Sequence, residues 1–312
     1  MTVIVPLVSY GGEAGPTFMT RFNGQRCEPA IIDSSAAQCF KRCPRQYFYR
    51  YVLGWKSKWE PEFFRFGSSY HKFREVLEHT QSFKEALLAA QEKFRKRGGD
   101  PVLGSKWDFL TELRLLKSCA VAYEHWKKEK LLKIIEVIAI EQPFNVELSD
   151  GSRTSGRADQ IVKWNGKLWG RDFKTTSKMG KYYERSLEPN DQFSRYTFGE
   201  GKLTGEPIQG QIVEALYNTK KEGPSIHQFL ATRTPTQIAI WESEQQFYNL
   251  VLNTCRTTDV WPMNENACYN CDYHSVCKTA TENMMMNRLE NDYVYSPWDN
   301  TKVDQDDDEE AA

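Results

Sequence analysis

The chain has 312 residues, of which 40% are hydrophobic and 27% charged, with 41 basic against 42 acidic side chains. That length supports one large core or two small ones, and no stretch approaches the roughly 20 apolar residues of a membrane span. The near-neutral total hides an asymmetry: the run from Asp304 to Glu310 holds six acids, so the remaining body is mildly basic and open to an anionic partner such as nucleic acid.

In chain order, residues 1–33 read as irregular, and the opening MTVIVPLVSYGG lacks the basic segment of a signal peptide. A cytoplasmic location is expected, in which eight cysteines argue for thiols or metal rather than disulfides. SSAAQCFKRCPRQYFYRY predicts two short helices, with Ser34 or Ser35 as a cap and Pro44 in a first turn. FGSSYHKFREVLEH is amphipathic at helical spacing. SFKEALLAAQEKFRKRGG opens with a Ser-x-x-Glu capping box and stops at Gly98-Gly99. A long helix follows over 106–133.

The period then changes. Residues 133–148, 154–164 and 167–175 predict three strands, separated by the turn signals SDGS and NGK. A helix over 190–200 precedes strands at 209–218 and 225–233 and a helix over 236–257. This order predicts a mixed α/β (α+β) core sheet flanked by helices, with a helical N-terminal region. The expected division is 1–33 irregular, 34–133 helical, 134–260 core, 261–280 a cysteine segment, and 281–312 an acidic tail that reads as disordered.

Side chains two apart on a strand share a face, so Asp172 and Lys174 stand side by side while Phe173 faces a core. Alone, such a pair is an ordinary surface ion pair. Asp159 lies on the preceding strand and Glu141 near the end of the strand before it. A meander can gather these carboxylates at one end of the sheet, where their repulsion calls for a cation, and hard oxygen ligands select Mg2+ or Mn2+. His71 sits on the amphipathic helix, and Gln192 and Tyr196 share a helix face. Each alone has a bland reading as a satisfied histidine or a polar patch.

Taken in order, His71, Glu141, Gly156 to Asp159, Asp172 to Lys174, and Gln192 to Tyr196 resemble the RecB-like branch of the PD-(D/E)XK nuclease superfamily. The resemblance covers roughly residues 34–280, with Ala158 where many members carry proline. It implies a restriction-endonuclease-like core. It also implies a metal held by His71, Asp159, Asp172 and the Phe173 carbonyl, with Glu141 binding directly or through water. Lys174 would orient the attacking water and stabilise phosphate charge, and Gln192 and Tyr196 would position the strand backbone. Arg157 or Arg171 is expected either to touch phosphate or to be an ordinary surface residue.

CYNCDYHSVC places Cys268, Cys271 and Cys277 in a Cys-x2-Cys-x5-Cys pattern. Zinc and iron–sulfur centres both accept four thiolates, so spacing does not choose, and His274 could complete a zinc site. Iron–sulfur members of the resembled family carry a distant cysteine in a Cys-Pro pair. That resemblance implies a 4Fe-4S cluster on Cys43, Cys268, Cys271 and Cys277, stapling the two ends of the chain, with Cys39 competing for the role of Cys43. The basic, aromatic stretch from Lys41 to Trp59 fits either DNA contact or an aromatic core face.

The resemblance is to stand-alone exonucleases, including those of phage recombination and CRISPR adaptation. It implies a metal-dependent DNA exonuclease acting at single-stranded ends in recombination, repair or end processing, in a bacterial, archaeal or phage-infected cell. The rival is a non-catalytic DNA-binding or partner subunit, and a zinc-stabilised interaction protein is a third reading. No P-loop pattern is present in the sequence, so a helicase, recombinase or other DNA-processing partner would have to open duplex.

Overall fold

The structure is a computed structural model that describes residues 31–58, 62–96, 106–219 and 222–298. Cys27, most of the expected irregular segment and the acidic run 304–310 lie outside the described residues. The elements in chain order begin with α1 (Ser34–Arg42), α2 (Pro44–Tyr47), a π-helical turn (Phe48–Val52) and β1 (Trp55–Ser57). Three longer helices follow, α3 (Glu62–Thr80), α4 (Phe83–Lys96) and α5 (Lys106–Leu132). Next come β2 (Glu136–Glu147), β3 (Arg153–Trp164), β4 (Lys167–Thr176), α6 (Lys181–Leu187), α7 (Asp191–Thr204), β5 (Ile208–Tyr217) and β6 (Ser225–Thr232). The last elements among the described residues are α8 (Pro235–Thr258), a 3-10 turn (Glu265–Asn270), α9 (His274–Cys277), α10 (Glu282–Asp292) and β7 (Tyr293–Tyr295).

The described residues form two compact units, and the division is not the linear one expected. One unit combines residues 39–56 with 249–298; the other contains 57–248 together with 31–38. Cys43 and His71, expected in one helical region, therefore belong to different units.

The larger unit is built on a five-stranded sheet in the order β2-β3-β4-β5-β6. The first three strands form an antiparallel meander, β4 and β5 run parallel, and β6 returns antiparallel. Local chemistry sets this register. The β3–β4 loop is Asn165-Gly166, both at positive φ (49° and 75°), the primed-turn geometry that matches strand twist. Parallel pairing needs a crossover, which α6 and α7 supply. Asn190 caps α7 by accepting the N–H groups of Gln192 and Phe193, and the capping box of α4 forms as Ser82 Oγ accepts the Glu85 N–H at 3.3 Å.

One face of the sheet is covered by α3, α4 and α5. Tyr70, Phe73, Leu77, Ala90 and Leu115 pack there with Phe173 and Leu216 from the strands. On the other face, Phe193 of α7 packs with Leu187, Val213 and Ala231. The central strand β4 is buried continuously from Trp169 to Phe173, as a strand covered on both faces must be. Gly156 is required by packing: a Cβ there would lie 2.5 Å from Phe144 Cζ and 2.9 Å from Tyr196 Cε1.

The smaller unit is an aromatic cluster. Trp261 meets Tyr47 and Phe48 at centroid distances of 6.1 and 5.4 Å, and Tyr273 stacks on Tyr49 and Tyr293 at 5.6 and 5.0 Å. Tyr47, Phe48, Tyr49 and Tyr51 are all buried, so these rings form a core face and are not presented for base stacking. The arginines among them serve backbone: Arg45 Nε donates to the Trp261 carbonyl at 3.2 Å and Arg50 Nη1 to that of Ser296 at 2.9 Å. The two ends of this unit are thus joined by rings and guanidinium–carbonyl bonds. The expected disordered tail from 281 is corrected over 282–295, which forms α10 and β7. Met285, Leu289 and Tyr293, spaced by four, bury one side of that segment, and Thr281 caps it.

Candidate active site

The strands of the larger unit separate where the acids lie. Pairing of β3 with β4 runs from Trp164↔Lys167 to Gln160↔Arg171 and ends there. One residue further on each strand are Asp159 and Asp172. With no strand carbonyl opposite it, the Phe173 N–H donates to Asp159 Oδ2 at 2.7 Å. The expected acids therefore sit in the middle of long strands, at a split in the sheet rather than at its end. Lys174 Nζ donates to Asp172 Oδ1 at 2.9 Å, with Asp172 buried and Lys174 half-buried. From α3, His71 Nδ1 lies 3.3 Å from Asp159 Oδ2. Glu141 opposes this region from β2 in a left-handed backbone conformation (φ 46°). For a residue with a Cβ that conformation costs on the order of 1–3 kcal/mol, and such strain gathers at functional sites.

The electrostatics are those of crowded carboxylates. Burial and the neighbouring Asp159 push the Glu141 carboxyl up to about 7. Burial raises Asp172 against the pull of Lys174. Burial also works to raise Asp159, yet His71, Lys174 and the Phe173 N–H hold it below its usual range. His71 is raised despite burial, chiefly by Asp159. On α7, Gln192 Nε2 donates to Tyr196 Oη at 3.0 Å. The Tyr196 phenol is pushed up by burial, Asp172 and Asp159.

Three further findings concern residues read differently, or not at all, from the sequence. Arg171 is 2% exposed and faces away from the acids, so it is neither a phosphate contact nor a surface residue. Glu75, one turn along α3 from His71, adds to the charge felt by Glu141; its i+4 spacing was a usable signal. Tyr183 has a buried hydroxyl with no hydrogen-bond partner and is pushed up to about 12 by burial and by Asp172; no spacing rule points to it. Arg157 lies 4.0 Å from Glu141. Glu75 is paired with Lys72 at 3.0 Å, so Glu141, Asp159 and Asp172 face Lys174, Arg157 and His71, and the set is negative while His71 is neutral.

A family model for the PD-(D/E)XK nuclease superfamily matches residues 34–278. The chain belongs to that superfamily. Its fold is similar to the crystal structure of a candidate exonuclease from Eubacterium rectale, with a TM-score of 0.53 and 12% identity over 87% of this chain and 96% of that one. The structure of SSO0001 aligns at a TM-score of 0.30 and 15% identity, over 68% of this chain and 84% of that one. Among curated proteins none matches the sequence.

PD-(D/E)XK nucleases use divalent metals, and the acid set offers the hard ligand types for one, with its ligand atoms more widely spaced than 4.8 Å. Its two raised carboxyls, and its negative charge while His71 is neutral, are what a hard dication would relieve. Among the described residues, one trio of ligand-type side chains has its atoms all within 4.8 Å of one another: His125, Glu129 and Glu214. Glu214 pairs with Phe173 in the β4–β5 register, so this trio lies on the sheet face opposite Asp172 and Lys174. There Arg171 Nη2 donates to Glu129 Oε2 at 2.7 Å and also to Glu214.

The thiols belong to the smaller unit. Cys43 is buried and its Sγ accepts the Asn264 N–H at 3.4 Å, while Cys268 Sγ donates to the Asn264 carbonyl at 3.8 Å. Burial, then Cys43, pushes Cys39 up to about 12. Cys271 and Cys277 are raised by burial and also feel Cys43. Among the described residues no three thiols come within 4.8 Å of one another. Sulfurs on one zinc ion lie within about 4.6 Å, since each bond is about 2.3 Å, so this arrangement does not suit zinc. The four thiolates of the expected centre are not drawn together here.

Proposed function

We propose that this nuclease is a divalent-metal-dependent DNA exonuclease of the RecB-like type, acting at single-stranded ends in recombination, repair or end processing. The observation that carries the reading is the group at the split between β3 and β4, where Asp159, Asp172 and Glu141 crowd together and Lys174 is held against Asp172. His71, Asp159, Asp172 and the Phe173 carbonyl would hold Mg2+ or Mn2+, with Glu141 beside them. The ion, when bound, supplies charge neutralisation, Lewis acidity and a lowered pKa for water. Lys174 orients the water and places an ammonium beside the phosphate, where charge grows during attack. Gln192 and Tyr196 hold the strand backbone. Duplex would be opened by a partner protein.

Digestion of end-labelled single- and double-stranded DNA with Mg2+, with Mn2+ and with chelator tests this. Release of 5′-phosphorylated products from single strands, lost with chelator, is expected. Binding of DNA without cleavage under every metal condition would replace the reading with that of a DNA-binding subunit.

We also propose a 4Fe-4S cluster on Cys43, Cys268, Cys271 and Cys277. Its support is that Cys43 is felt by Cys39, Cys271 and Cys277 alike, and that cluster ligands bind different irons and need not crowd as around zinc. Protein purified without oxygen should contain iron and absorb at roughly 400 nm. Iron kept in Cys43→Ala and lost in Cys39→Ala would reassign the fourth ligand.

A further inference from the structure

The face of β4 turned away from Asp172 and Lys174 carries a buried charge network. Arg171 is bonded to Glu129 and Glu214, and Arg74 Nη1 of α3 lies 2.8 Å from Glu214 Oε1. Arg74 and Glu214 are fully buried, and Glu129 is buried as well. Gln228 Nε2 of β6 donates to Glu129 Oε1 at 2.9 Å, and His125 Nε2 lies 3.3 Å from the same oxygen. Two guanidinium groups against two carboxylates leave no net charge. A dication placed among His125, Glu129 and Glu214 would meet two buried cations with no spare negative charge, so the trio is not a second metal site.

Stability alone does not account for the network. Apolar side chains of similar volume fill such space at equal or lower cost. Its position is more informative. The guanidinium carbons of Arg74 and Arg171 lie 4.2 and 5.3 Å from the centroid of the Phe173 ring, within the range of cation–π attraction. Glu214 is the register partner of Phe173 on β5. Phe173 is therefore held by its ring from α3 and β4, and by its N–H from Asp159. Its neighbours in sequence are Asp172 and Lys174.

We infer that Arg74, Arg171 and Glu214 are positioning residues that fix β4 at Phe173, and through it the alignment of Asp172, Lys174 and the Phe173 carbonyl. They touch neither substrate nor reacting atoms. The inference rests on the proposed roles of those three groups. Partners that orient metal ligands are worth about 10- to 100-fold in affinity or activity, and a site held loosely by its supports loses function before it loses fold.

The test is the double variant Arg74→Leu/Glu214→Gln, which removes one charge of each sign and leaves Arg171 with Glu129. Circular dichroism checks the fold. Mn2+ affinity is measured by calorimetry without DNA, kcat and KM on an end-labelled single strand, and amide exchange over residues 171–175 by mass spectrometry. Expected are Mn2+ binding about tenfold weaker, kcat reduced about tenfold or more, KM within about twofold, and faster exchange in that segment. A folded variant with wild-type Mn2+ affinity, kcat and exchange overturns the inference. Should the double variant fail to fold, Phe173→Leu keeps all four charges, removes the ring they grip, and decides by the same readings. Wild-type protein that binds no Mn2+ would instead overturn the proposed function. The exchange rates of the variant then decide the positioning role by themselves.

Discussion

The two faces of β4 offer nearly the same chemical parts. Each gathers carboxylates and one histidine within a few ångströms of a cation: His71, Glu141, Asp159 and Asp172 with Lys174 on one side, His125, Glu129 and Glu214 with two arginines on the other. They differ in charge balance. The arginine face is neutral and closed, and its Glu129 carboxyl is held well below the usual range despite burial, by His125 and Arg171. The lysine face is negative while His71 is neutral, and its Glu141 and Asp172 are pushed up. A donor set of the right types is therefore a weak sign of a metal site until the compensating cations are counted.

The largest effect should come from the unbalanced face. Asp172→Asn and Lys174→Ala should each reduce cleavage by about 10^3-fold or more while leaving the unfolding midpoint within a few degrees. Single-turnover assays with Mg2+ and Mn2+ read this, and full activity of Lys174→Ala would remove that lysine from the chemistry. On the balanced face the effect should fall on stability. Glu214→Leu strands the buried Arg74 guanidinium and leaves Arg171 with Glu129 alone, and should cost about 3–5 kcal/mol, measured by urea unfolding. A loss under about 1 kcal/mol would show that the network tolerates imbalance and would blur the contrast.

A third buried acid sharpens the comparison through pH. Glu200 of α7 is fully buried and accepts a hydrogen bond from Gln211 Nε2 at 2.9 Å, and burial pushes its carboxyl up to about 8. Between pH 4.5 and 8 the folded chain keeps a proton that the unfolded chain has lost, so this group makes stability fall as pH rises through that window. Glu200→Gln keeps the acceptor and cannot ionise. It should match wild type at pH 5 and exceed it at pH 8.5 by on the order of 2–3 kcal/mol. Equal stability at both values would place the carboxyl near its ordinary range. The smallest effect belongs to His125→Ala, which should leave Mn2+ stoichiometry unchanged and cost about 1 kcal/mol or less. Loss of one bound ion per chain would make the trio a metal site after all.

Much of this was readable in the chain because it is written locally. Asn165-Gly166 announces its hairpin, Ser82 and Glu85 their cap, and the two-residue step from Asp172 to Lys174 a shared strand face. His71, Asp159 and Asp172 come together because a helix and two adjacent strands carry them. The arginine platform was not readable: Arg171 meets Glu129 and Glu214 across 42 and 43 residues, and no periodicity marks such partners. Tyr183, whose phenol is raised by burial and by the charge of Asp172, sits on a seven-residue helix with no capping signal. The helix over 282–292 was hidden by the acidic composition that follows it, although Met285, Leu289 and Tyr293 carried its apolar stripe.

The smaller unit is woven from segments on either side of the larger one, and this orders events on the ribosome. Cys39, Cys43 and the rings from Tyr47 to Tyr51 are made early, and their partners Trp261, Tyr273 and Tyr293 only after residues 57–248 have been added. At about 5–20 residues per second that interval is on the order of 10–40 seconds. The sheet and its helices can close during that time, while a row of bare tyrosines and thiols waits in the open. Nascent chains stalled near residue 250 would be the form most exposed to aggregation and to oxidation of Cys39 and Cys43.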